Sequence, residues 1–215
     1  MSQFALPLSY RSASGEADFF ISAANVDAVA WLDRWPDWPS RTLLLVGPEG
    51  AGKSHLARLF KRRVGDAVRI IDDADARRDE EAMFHAWNLA QAGGPGVLVI
   101  ARQPPAAWGI ALADLGSRLC AAPVAAIAAP DDQLVAELLA KHFRDRGLRV
   151  QPFVINYMLP RIERSFAGIA KAVAAIDAAA LAGGRAVSVP LVREALRLDW
   201  QEEIDWHHEA DTGND

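Results

Sequence analysis

Thr42-Leu43-Leu44-Leu45-Val46-Gly47-Pro48-Glu49-Gly50-Ala51-Gly52-Lys53-Ser54-His55-Leu56 decides how this chain folds. Five residues, four of them apolar and β-prone, lead into a glycine-rich turn, as a buried parallel strand does. Leu56, Leu59 and Phe60 follow at helical spacing. Between them, Gly47 to Ser54 fits the phosphate-binding loop G-x-x-x-x-G-K-[S/T], in the strand–loop–helix context that gives the motif its meaning. Gly47, Gly50 and Gly52 let the backbone curl until successive N–H groups converge on one anion. Pro48, Glu49 and Ala51 complete the loop, and His55 opens the helix. Lys53 supplies a cation for the β and γ phosphates, and Ser54 a hydroxyl for Mg²⁺. The loop therefore predicts a bound nucleotide.

Outward from the loop, apolar runs alternate with helical patterns. Val68-Arg69-Ile70-Ile71 ends in Asp72-Asp73, and Val97-Leu98-Val99-Ile100 is uninterrupted. A last strand is expected near 124–127. Helices are expected over 25–35, 53–63, 79–92 and around 111–119. Strands alternating with helices predict an α/β fold with a parallel sheet covered on both faces. After Pro130 the pattern turns helical, with helices expected over 131–146, 153–162, 165–182 and 190–198. The organisation is thus a leader over 1–18, a nucleotide-binding core over 19–129, a helical lid over 130–198 and an acidic tail over 199–215.

Composition narrows the function. Of 215 residues, 51% are hydrophobic and 24% charged, as in an ordinary globular protein. The net charge is −5. The seven acids from Asp199 onward meet no Lys or Arg, and without them 23 bases face 21 acids. A near-neutral body has no electrostatic footprint for autonomous DNA binding. One cysteine, Cys120, excludes an internal disulfide and fits a cytoplasmic protein, with a core position expected for it. No signal peptide and no membrane-length run are evident. Trp31, Trp35 and Trp38 read as packing, and His207-His208 lacks the further ligands a zinc site needs.

Five segments together resemble the AAA+ ATPases, and within them the DnaA/Hda family of replication-initiation proteins. Phe19-Phe20-Ile21 with Asn25 is similar to the family's adenine-side segment, which assigns Phe20 and Ile21 to the base. GPEGAGKSHL is similar to its phosphate loop. Ile70-Ile71-Asp72-Asp73 resembles the Asp-Asp form of Walker B. On that resemblance Asp72 holds Mg²⁺ with Ser54, and Asp73 orients the attacking water. Asp114-Leu115-Gly116-Ser117-Arg118-Leu119 is similar to the segment carrying the family's arginine finger, which makes Arg118 a catalytic residue in trans. Glu163-Arg164-Ser165-Phe166 matches the sensor 2 position, so Arg164 is expected to fold onto the nucleotide.

The resemblance implies an AAA+ core with a helical lid, ADP or ATP with Mg²⁺ as cofactors, and the initiator DnaA as partner. Gln3-Phe4-Ala5-Leu6-Pro7-Leu8 resembles the peptide that docks on the replicase sliding clamp. Gln3 would supply directional hydrogen bonds, and Phe4, Leu6, Pro7 and Leu8 an apolar grip. Homo-oligomerisation is left open, and neither membrane association nor sequence-specific DNA binding is expected.

Three departures matter. Only 18 residues separate Lys53 from Asp72, too few for the strand and helix the family places there. Ala101-Arg102-Gln103 stands where a polar sensor 1 residue is usual. No helix-turn-helix domain follows the lid, which favours the family's shorter regulators over the initiator. The alternatives are an autonomous AAA+ ATPase or helicase loader, a small P-loop kinase, and a non-hydrolysing adaptor.

Overall fold

In the computed structural model, residues 19–77 and 79–197 are described. The 1–18 leader with its clamp-type peptide and the tail with His207-His208 lie outside them. The chain divides into two compact units, one running to Leu134 and one from Val135.

The first unit is a four-stranded parallel sheet. Its strands are β1 (Thr42–Val46), β2 (Val68–Ile71), β3 (Gly96–Ala101) and β4 (Val124–Ala126), in the order β2-β3-β1-β4. β1 and β3 are central and buried along their whole length, which is why both read as unbroken apolar runs. Their side chains alternate between the two faces. Leu44, Val46, Val97 and Val99 pack with Met83 and Trp87 of α3 (Glu80–Gln91) and with Leu115 and Leu119 of α4 (Ala113–Ala121). Leu43, Leu45, Leu98 and Ile100 are buried by the same alternation on the opposite face. There α2 (Lys53–Val64) buries Leu56 and Phe60. α1 (Val26–Asp33) packs beside β4.

The short span before Asp72 has a visible consequence. It is filled by α2, one 3₁₀ turn over Gly65–Ala67, and β2. No additional strand is present among the described residues, so β2 forms the sheet edge. The Lys61 ammonium donates to the Val68 carbonyl at 2.8 Å and to Asp66 at 3.2 Å, placing a charged side chain on that edge.

The tryptophans are packing, as expected. Trp38 is buried, its indole N–H donates to the Trp31 carbonyl at 2.7 Å, and its ring lies 5.3 Å from that of Phe60. Cys120 is a correction: it is exposed. Leu115 and Leu119 take the inward face of α4, and Cys120 is rotated about 100° away from Leu119.

The second unit is all-helical among its described residues. Its helices are the greater part of α5 (Asp132–Asp145), α6 (Pro152–Met158), α7 (Phe166–Gly183) and α8 (Val189–Leu196). Leu139, Phe143, Val154, Ile169, Val173 and Leu191 share one buried cluster. α6 stops at Met158 rather than 162 because Pro160, one residue past the still-helical Leu159, supplies no N–H for the next helical bond and its ring crowds the carbonyl four residues back. α7 ends on Gly184 at φ 57. By length and composition α7 could cross a membrane, contrary to the sequence expectation of no such run. In this fold Ile169, Ala172, Val173, Ile176 and Ala180 of α7 line the unit's own core.

Candidate nucleotide-binding site

The order β2-β3-β1-β4 creates a crevice at the sheet's carboxyl edge. β1 continues into α2 on one face and reaches β2 beyond β3. β3 continues toward α4 on the other face and reaches β4 beyond β1. The connections leave adjacent strands in opposite directions, which is where open α/β sheets bind ligands. Gly47 N–H donates to the Ala101 carbonyl at 3.3 Å. Beyond it the chains part, Arg102 N–H turning to the Asp75 carboxylate at 3.0 Å.

The loop residues fit a phosphate-bearing group. Gly50 and Gly52 sit at φ 77 and 78, a left-handed conformation that glycine adopts without strain. A Cβ on Gly47 would lie 2.7 Å from the Ile127 carbonyl oxygen, so only glycine allows that approach. Helix α2 starts at Lys53 without a capping side chain, leaving its first N–H dipoles for an anion. The Lys53 ammonium donates to the Gly47 and Pro48 carbonyls at 2.7 and 2.8 Å. Burial pushes Lys53 below the ordinary lysine range, and nearby Arg102 adds to the shift. Asp75, Asp72 and Asp73 oppose it. Pro48, Glu49 and Ser54 are exposed, while Ala51 is buried.

The aspartates after β2 form a tight turn. Asp73 has φ 53, its N–H is held by Asp72 Oδ1 at 2.9 Å, and Ala74 N–H returns to the Ile100 carbonyl at 2.9 Å. Asp72 and Asp73 are both exposed. Among the described residues no group of three or more His, Cys, Asp or Glu assembles. Mg²⁺ does not require one, since it keeps several waters and binds one or two protein oxygens besides phosphate.

Ahead of α1, buried Asn25 pins the incoming segment. Its Nδ2 donates to the Phe20 carbonyl at 2.7 Å, and its Oδ1 accepts from Ser22 N–H at 3.0 Å. Ala128 N–H, just past β4, donates to the Ala24 carbonyl at 2.8 Å. The segment thus lies along the carboxyl edge. Ile21 is exposed, whereas the ring of Phe19 stacks 6.3 Å from that of His55 and lies 3.5 Å from where a Cβ on Gly52 would stand. Sequence reasoning chose Phe20 and Ile21 and passed over Phe19. It also passed over Asp75, whose only sequence signal was a third acid beside the Asp-Asp pair.

Arg118 sits elsewhere on this unit. α3 and α4 both start at the carboxyl edge and run back along the sheet, tied at their tops by Glu80, which accepts from Ala111 and Leu112 N–H. Arg118 lies one turn below Asp114. Its Nε and Nη2 donate to the Asp114 carboxylate at 3.0 and 2.7 Å, and Nη1 donates to Asn88 at 2.6 Å. Its guanidinium lies 4.8 Å from the ring centre of Phe84. Arg164 belongs to the second unit, exposed and next to Ser165, the N-cap of α7.

Residues 131–196 match the family model described as the Hda lid domain. The fold is similar to domain III of the Thermotoga maritima replication initiation protein DnaA, with a TM-score of 0.68 over 83% of this chain and 93% of that one, at 15% identity. The chain has the AAA+ fold of DnaA domain III and carries a lid of the Hda type. Its fold is also similar to AMPPCP-bound DnaA from Aquifex aeolicus, with a TM-score of 0.59 over 77% of this chain and 65% of that one, at 15% identity. An uncharacterized protein of Haemophilus influenzae is 28% identical over 120 residues, 55% of this chain and 52% of that protein. This chain therefore spans about half the length of that curated relative. The low structural identities speak for the fold, and the family match speaks for the lid.

Proposed function

We propose that this chain regulates replication initiation by binding ADP or ATP with Mg²⁺ and stimulating ATP hydrolysis on the initiator DnaA. The observation that carries the reading is the display of Arg118. Asp114, Asn88 and Phe84 hold its guanidinium on the α3–α4 face, down the helices from the carboxyl edge where the chain's own loop lies. An arginine fixed there is suited to a neighbour's phosphates. The match to the Hda lid supports the same reading.

In this reading Gly47–Ser54 binds the phosphates, with Lys53 supplying charge and Ser54 and Asp72 holding Mg²⁺ through oxygen and water. The metal's contribution is to neutralise charge on the β and γ phosphates. Asp73 takes the water-orienting role, and Phe20, Ile21 and Phe19 flank the base. Arg164 reports the nucleotide from the lid. Gln3, Phe4, Leu6, Pro7 and Leu8 dock on the DNA-loaded sliding clamp, so hydrolysis is coupled to active replication.

The test mixes the chain with ATP-loaded DnaA, clamp and DNA and follows phosphate release. Arg118→Ala should lower the stimulation by about 10³-fold, the scale for a finger in trans. Undiminished stimulation by Arg118→Ala refutes the role. Unchanged clamp affinity for Gln3→Ala removes the docking step. Turnover of about 1 s⁻¹ or more by the purified chain alone would favour an autonomous ATPase or loader.

A further inference from the structure

Arg102 and Glu49 face each other across the crevice. Glu49 is on the crest of the phosphate loop after β1, and Arg102 is the first residue past β3. Arg102 Nη1 lies 2.8 Å from Glu49 Oε2. The backbone of Arg102 is anchored by Asp75, so its side chain swings from a fixed point. Its charge is felt at Lys53, the first residue of α2 where the loop ends. A guanidinium is thus held within reach of the phosphate position by a carboxylate that would oppose a phosphate there.

We infer that Glu49 and Arg102 form an ion-pair latch across the β1–β3 crevice, which nucleotide opens when Arg102 exchanges the carboxylate for a phosphate oxygen. The inference rests on the nucleotide-binding reading and adds a control to it. The exchange is cheap, because the Arg102 and Glu49 side chains are 48% and 72% exposed and such pairs are weak. The new partner is strong, because guanidinium–phosphate bonds are charge-assisted and fork-shaped. Glu49 thereby tunes affinity: it occupies Arg102 in the free protein and releases it only to an anion that competes.

The test is equilibrium binding of N-methylanthraniloyl-ADP, read by fluorescence anisotropy, with the full chain. Glu49→Gln should tighten binding about two- to fivefold at low salt, the scale of an exposed pair. Arg102→Gln should weaken it about tenfold, as loss of a charged hydrogen bond does. The decisive measurement is the double variant. In an Arg102→Gln background, Glu49→Gln should no longer tighten binding. An equal gain in both backgrounds would mean that Glu49 merely repels phosphate, and the latch is overturned. An unchanged Kd for Arg102→Gln overturns it as well. Lys53→Ala separates the two readings. If it abolishes binding while Glu49 and Arg102 act independently, the nucleotide site stands and the latch falls. If the wild type binds no nucleotide, both fall. Melting temperatures of the variants without nucleotide should match the wild type, since the pair is exposed.

Discussion

Gly47→Ala tests whether the first loop glycine is demanded by packing. The added methyl would lie 2.7 Å from the Ile127 carbonyl oxygen and 3.0 Å from Ile127 Cβ. Neither neighbour yields easily. Ile127 N–H is bonded to the Val46 carbonyl at 2.7 Å, and Gly47 N–H to the Ala101 carbonyl at 3.3 Å. Relief requires the exit of β1 to move away from either β4 or β3. Overpacking of this kind costs about 1–3 kcal/mol. The stiffer unfolded chain of an alanine variant returns about 0.4–1 kcal/mol. The net loss is about 1–2 kcal/mol, or roughly 4–10 °C in melting temperature for a unit of this size. Gly116→Ala is the matching control. Gly116 is helical within α4, and a Cβ there meets Ile110 at an ordinary 3.7 Å. That change should raise stability by about 0.5–1 kcal/mol. Thermal unfolding followed by far-UV circular dichroism reads both. The same chemical change should move the two variants in opposite directions. A Gly47→Ala protein that melts at or above the wild-type temperature refutes the packing argument.

Arg118→Ala should cost less than about 1 kcal/mol by thermal melting, because its Asp114 pair is a partly exposed i,i+4 bridge. A larger loss would recast Arg118 as a structural residue. Ser165→Ala removes the α7 N-cap, whose hydroxyl oxygen accepts from Gly168 N–H at 2.9 Å. It should cost about 1 kcal/mol, read by urea titration at a helix-sensitive wavelength. Burial first, then Arg146, holds His142 below its ordinary value of 6.5. The unfolded chain therefore takes up the proton sooner, and stability should fall as pH drops below 6.5, levelling off below the folded value. His142→Gln should flatten that part of the stability–pH curve. A curve that keeps its full slope would show that other groups cause it.

The strands of this fold were legible because β1 and β3 are buried on both faces, which requires apolar residues at consecutive positions. The same physics exposed the missing strand, since 18 residues hold one helix and one short strand and no more. The second helix after Pro130 was overextended because apolar periodicity continues through Leu159 and Ile162, while Pro160 ends it by sterics. Cys120 was misplaced because residue type was weighed above its angle on α4. The loop could be read because its chemistry is local, with glycines, lysine and serine within eight positions. Arg102 facing Glu49 could not be read. The two residues are 53 positions apart and meet only because β1 and β3 are neighbours in register. Phe19 was missed for a related reason: which of three apolar residues turns toward the loop is set by Asn25 gripping the backbone, not by the residues themselves.

The site grips an anion more plainly than it activates water. Lys53, Arg102 and the uncapped start of α2 supply positive potential on the loop side. Opposite them, the Asp72-Asp73 turn spends part of its capacity on its own backbone. Asp72 Oδ1 is engaged by Asp73 N–H, and the Asp73 carbonyl accepts from Ala76 and Arg77 N–H. One Asp72 oxygen remains for a metal-bound water. Asp73 carries a carboxylate one methylene shorter than glutamate from a left-handed backbone, and it is exposed. At the end of β3, where a neutral polar side chain could position a water, stands a cation paired to the loop. Each feature favours holding phosphate over cleaving it. These features fit the proposed division of labour, in which the chain's own nucleotide would set its conformation while Arg118, fixed by Asp114, Asn88 and Phe84, would complete an active site on another molecule.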